Sequence, residues 1–103
     1  MDIKAIINLA LCICAQDGVI SELELDTLFK RVKQLSKVTK NEFELYIENF
    51  FSSELKLENY IDQLNTSESK TTILDICKDA ASSDGLNINE NIAYIKVKNM
   101  WGL

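Results

Sequence analysis

Apolar residues recur along this chain at three-and-four spacing, and polar start and stop signals fall between the runs. Ile3, Ile6, Ile7, Ala10, Leu11, Ile13 and Cys14 mark a helix with a broad buried face. The Asp17-Gly18 pair supplies a left-handed stop, so that helix is expected to end near Gln16. Ser21 and Glu24 have the spacing of a capping box for a second helix, with Ile20 and Leu25 placed as a hydrophobic staple. Leu25, Leu28, Phe29, Val32 and Leu35 form its stripe. Thr39 and Glu42 repeat the capping pattern ahead of Phe43, Ile47, Phe50 and Phe51, and Ser52-Ser53 breaks that third run. A short fourth helix carries Leu57, Tyr60, Ile61 and Leu64. After the polar break Asn65-Thr66-Ser67, a fifth helix is expected from about Glu68 to Ser82, with Ile73, Leu74, Ile76, Cys77, Ala80 and Ala81 inward. Ser83-Asp84-Gly85 stops it. The last helix begins near Asn87 or Asn89, with Ile92, Ile95, Val97, Met100 and Trp101 as its apolar set.

Every connection is short and no low-complexity stretch intervenes, so residues 1–103 read as one domain, a compact all-α bundle of about six to seven short helices. Composition agrees: there is no proline and there are 3 glycines, too little turn chemistry for an all-β fold. The absence of histidine removes Ser-His and Cys-His nucleophilic pairs and imidazole ligands. A formal charge of −5 works against nucleic acid and anionic lipid and suits a cation, a basic partner or plain solubility. Cys12, Cys14 and Cys77 are odd in number and lack metal-motif spacing, and they read as reduced, buried thiols in a cytoplasmic protein. The apolar run Ala5–Ala15 is too short to span a bilayer and has no positive flank, since Asp2 and Lys4 cancel; it reads as a buried central helix.

Two stretches look alike. Cys14-Ala15-Gln16-Asp17-Gly18-Val19-Ile20-Ser21-Glu22-Leu23-Glu24 and Ala81-Ser82-Ser83-Asp84-Gly85-Leu86-Asn87-Ile88-Asn89-Glu90 each lead from an apolar helix through Asp-Gly to a capped helix. The Asp-Gly pairs lie 67 residues apart, which suits two related helix pairs with an insertion between them. In such an arrangement helices one and five pack side by side. Aligned on Asp-Gly, the second copy has Asn87 where the first has Ile20, and Asn91 where the first has Glu24.

A helix ending in Ala-x-x-Asp-Gly-x-Ile, followed by an acidic capped helix and repeated near the C-terminus, resembles the tellurite-resistance TerB-like family, which includes a domain of DjlA-type co-chaperones. The resemblance runs over Ile6–Leu35 and Ile73–Leu103. The ending Val97-Lys98-Asn99-Met100-Trp101-Gly102-Leu103 is similar to that family's closing Leu-Gly-Leu, with Trp101 in place of the first leucine. The resemblance implies a bacterial or phage all-α binding module of tellurite or wider chemical stress response, acting beside membrane-associated or metal-linked partners. It implies no catalytic reaction. The family's shared acidic positions fall here on Asp17 and Asp84, with Glu24 matched in the first half.

An EF-hand is excluded, because its first and third ligand positions would be Ile13 and Ala15. If the two corners converge, Asp17, Glu24, Asp84 and Glu90 become an all-oxygen set suited to calcium, magnesium or manganese. Read structurally, the aspartates turn onto loop amides, the two glutamates close their own caps, and Gly18 and Gly85 are corners. No carboxylate pair at defined separation and no glycine-rich phosphate loop points to an enzyme. Phe50 and Phe51 cannot both face inward on one helix, so one of them is a candidate partner surface or homodimer seam. The functional expectation is a non-enzymatic module working through protein contacts. A small acidic inhibitor or immunity-type protein covering one basic target is the alternative.

Overall fold

Burial runs unbroken from Ala5 to Cys14 along the first helix, α1 (Ile3–Cys14). A helix can be covered all round only by neighbours on every side, and α1 packs against all five other helices. The computed structural model describes residues 2–65, 69–85 and 87–103, and of Asp17 the backbone only. Within these it contains six α-helices and one 3-10 turn, and no strand. The Asp2 carboxylate caps α1 by accepting from the Ala5 amide at 3.1 Å.

The chain then passes through the 3-10 turn Ala15–Asp17 to α2 (Glu22–Leu35), α3 (Lys40–Ser52), α4 (Leu57–Gln63), α5 (Lys70–Ser82) and α6 (Ile88–Met100). The capping boxes expected at Ser21/Glu24 and Thr39/Glu42 are formed, and a third closes between Asn87 and Glu90. The expected residues Thr66, Ser67 and Glu68 ahead of α5 lie outside the described residues. At the other end of α6 the Leu103 amide reaches the Lys98 carbonyl at 2.9 Å and the Gly102 amide reaches that of Asn99 at 3.1 Å, the two bonds of a Schellman closure.

α1 and α5 lie against each other, and α2 packs against α5, so the two helix pairs α1–α2 and α5–α6 share one core. Gly18 and Gly85 turn the matching corners with φ of 90° and 100°, a left-handed backbone that a side chain disfavours. The radius of gyration is 12.2 Å, close to the ~13 Å of a compact chain of this length.

The inward set of α5 is as the spacing predicts, whereas in α1 burial extends past the expected face to Ala5, Asn8, Leu9 and Cys12 and leaves Ile3 half-buried. Two others differ. Leu35 closes the α2 stripe in sequence but is exposed at the helix end. In α6 the buried residues are Glu90, Ala93, Val97 and then Trp101, whereas Ile92, Ile95 and Met100 face outward. The small Ala93 lets α6 sit close to the core, and the helix is rotated so that its isoleucines are left on the outside.

Candidate functional site

The N-termini of α2 and α6 meet inside the protein, because each carries its capping glutamate on the inward face. The Glu24 Oε1 accepts from the Ser21 amide at 2.8 Å, and the Glu24 amide donates to the Ser21 hydroxyl at 3.1 Å. The Glu90 Oε1 accepts from the Asn87 amide at 3.2 Å, and the Glu90 amide donates to the Asn87 Oδ1 at 2.8 Å. Glu24 and Glu90 are 2% and 1% exposed, rare for glutamates. Cys14, on the last turn of α1, completes the group: its sulfur and one oxygen from each carboxylate lie within 4.8 Å of one another.

This geometry resets the correspondence between the halves. Aligned on the capping boxes, Ser21 matches Asn87 and Glu24 matches Glu90, 66 residues apart. The second corner is one residue shorter, so alignment on Asp-Gly pairs Glu24 with the wrong residue, Asn91. Of the four acidic residues proposed from sequence, Glu24 and Glu90 come together. Asp84 is exposed on its corner and is not part of the cluster. The Asp17 side chain lies outside the described residues.

Chemically, the cluster is two carboxylates and a thiol buried in the interior. The Glu24 Oε2 is buried without a hydrogen bond of ordinary geometry, and the Cys14 thiol faces the carboxylate. On the surface, Arg31 of α2 joins Asp75 (3.1 Å) and Asp79 of α5, and Lys96 of α6 joins Glu58 of α4. Burial pushes the Cys14 thiol well above its ordinary range, and the Glu24 carboxylate adds to the shift, so the free thiol stays protonated. The other thiols are also free and buried. Burial raises Cys12 to about 11 against a lowering hydrogen bond from Gln16, and raises Cys77 to about 12. Low-pKa nucleophiles they are not.

Sequence spacing alone does not reveal Cys14 as a member, because Cys14 and Glu24 meet only through the fold of the corner. One signal was present: the repeat has alanine, Ala81, at the place Cys14 holds in the first copy.

The surface offers a second feature. Ile88, Ile92 and Ile95 are 79%, 60% and 43% exposed, and their spacing sets them on one face of α6. Ile92 also borders a depression of about 640 Å³ between α6 and the α3–α4 connection, with Leu55, Leu57 and Lys96. Of the two phenylalanines singled out in α3, Phe50 turns inward against Tyr60, with ring centroids 5.7 Å apart, and Phe51 stays 63% exposed. Among the described residues no helix is long and apolar enough to cross a membrane. Compared with known proteins, the chain matches no family model, no curated protein and no solved structure.

Proposed function

We propose that this chain is a non-enzymatic binding module that works through protein–protein contacts, with α6 as its contact helix. The supporting observation is the row Ile88, Ile92 and Ile95, apolar and exposed on a helix whose other side is already packed. Leaving three isoleucines in water forgoes several kcal/mol of burial, on the order of 1.5–3 kcal/mol per side chain. Contiguous apolar surface of this kind marks contact sites on soluble proteins. The likeness of the Asp-Gly corners to the TerB-like family suggests the setting, a response to tellurite or other chemical stress.

The test is a side-by-side capture from native lysate with the wild-type chain and Ile92→Glu. The variant is expected to keep helix content and melting temperature and to lose the protein that the wild type enriches. Unchanged capture by the variant would move the contact surface away from α6. Turnover of a metabolite by the purified chain would overturn the non-enzymatic reading. A protein captured from an adjacent toxin locus, through basic residues, would favour the inhibitor reading instead.

A further inference from the structure

We infer that Cys14, Glu24 and Glu90 form a buried site for a thiophilic divalent cation of the zinc class, joining the end of α1 to the starts of α2 and α6. Three donors from three helices converge within 4.8 Å, and all three residues are 2% exposed or less. The donors around a tetrahedral zinc with ordinary Zn–S and Zn–O bonds stand ~3.5 Å apart, so small side-chain adjustments bring this set to the metal. The second observation is the Glu24 Oε2, buried without a hydrogen bond of ordinary geometry, with the Cys14 thiol as the group that faces the carboxylate. Its sister oxygen is committed to the Ser21 amide, so metal binding does not cost α2 its cap.

Donor chemistry decides the cation. Calcium and magnesium prefer oxygen shells of six or more donors, and this buried cluster offers two carboxylates and a sulfur. A sulfur ligand selects zinc and its softer neighbours over hard cations. On binding, the Cys14 S–H bond breaks, its proton leaves to solvent, and the sulfur electron pair goes to the metal. Two carboxylates and a thiolate then balance the cation to a net single negative charge. The site stands apart from the α6 contact surface, since neither Ile92 nor its neighbours on that face supply a donor.

The purified full chain, reduced and stripped with a chelator, is titrated with zinc and with cobalt(II) as its optical stand-in. The expected results are a rise of several degrees in melting temperature with zinc, little with calcium or magnesium, and a sulfur-to-cobalt charge-transfer band. Cys14→Ala places in the first half the residue the second half already carries, and is expected to fold, lose the band and bind zinc more than about tenfold more weakly. Glu24→Gln keeps the cap acceptor and is expected to lose most of the zinc response. Cys12→Ser and Cys77→Ser keep the band. The inference is overturned by absence of both band and melting shift in the wild type, by a band that survives Cys14→Ala, or by calcium or magnesium stabilising as much as zinc. Lysate capture repeated with chelator reads the α6 surface separately from the metal.

Discussion

At the first corner α1 tightens into a 3-10 turn, Gly18 reverses the chain, and Ser21 with Glu24 caps α2. At the second, α5 stops, Gly85 reverses the chain one residue sooner, and Asn87 with Glu90 caps α6. The local physics is the same: a left-handed glycine, an oxygen-bearing cap and a glutamate three residues on. The surroundings are not. Before the first corner the chain carries Cys14, and before the second it carries Ala81. After the first corner comes a helix whose buried face is Leu28 and Val32; after the second comes one whose isoleucines are outside. A repeated frame thus gives the interior cluster one glutamate from each half, while the thiol comes from the first half alone and the exposed isoleucine row from the second.

The sharpest contrast lies in the helices that those corners join, and the largest predicted effect tests it. Ile13→Ala in the fully buried α1 removes a side chain that has contacts all round, and should cost about 2–5 kcal/mol. Ile92→Ala, on the exposed face of α6, should stay within about 0.5 kcal/mol. Denaturant unfolding of the two variants measures both. Equal losses would mean that α6 packs its isoleucines inward in solution.

Those two helices also show what the sequence made legible. In α5 the apolar spacing gave the inward residues directly, and in α1 it gave the helix but not that Ala5, Asn8, Leu9 and Cys12 are buried as well, because cover on every side comes from the other five helices. The capping boxes at Ser21/Glu24 and Thr39/Glu42 were equally plain, because they rest on contacts three residues apart, whereas the one at Asn87/Glu90 was obscured by the shorter second corner. In α6 five apolar residues spread around the helix, and spacing could not say which would be inside. Packing decided it through Ala93, a residue too small to draw notice. The site was half legible for the same reason. Glu24 and Glu90 could be named as acidic cap residues, but their meeting, and the arrival of Cys14, depend on contacts between α1, α2 and α6 that no local pattern encodes.

The thiol that separates the two corners should also be visible in alkali. Unfolded thiols titrate near 9, while in the fold burial raises Cys12 to about 11 and Cys77 to about 12, and raises Cys14 as well. Above pH 9 the unfolded chain releases protons that the folded chain retains. Stability from these thiols is therefore full below 9 and is lost as pH rises toward the folded values. Each thiol removes about 1.4 kcal/mol per pH unit in that window. Melting curves of metal-free wild type and Cys14→Ala between pH 8 and pH 11 should diverge above 9, with the variant falling less steeply. Parallel curves would mean that Cys14 is not held protonated beside Glu24.

Replacing each corner glycine measures how equal the two frames are. A Cβ at Gly18 or Gly85 meets nothing within 4 Å, so Gly18→Ala and Gly85→Ala carry backbone strain alone. Each should cost about 1–2 kcal/mol. A much larger loss at Gly85 would show that the shorter corner has less freedom to relax.

The smallest effect concerns the clasps that hold each outer helix. Arg31 joins α2 to two aspartates of α5, while Lys96 joins α6 to a single glutamate of α4. The Arg31 side chain is 23% exposed and that of Lys96 is 44%. A guanidinium that spans two carboxylates is held more rigidly than an ammonium that meets one, and loses less to water. Arg31→Met should therefore cost more than Lys96→Met, with both below about 1 kcal/mol, since their partners are half in solvent. Raising the salt concentration should shrink both losses together. If Lys96→Met proved the costlier, α6 would depend for its position on the Glu58 contact rather than on Ala93, Val97 and the buried cap at Glu90. The outward row of isoleucines would then sit on the less firmly anchored of the two helices, and a partner docking there would be expected to strengthen the α4–α6 contact as it binds.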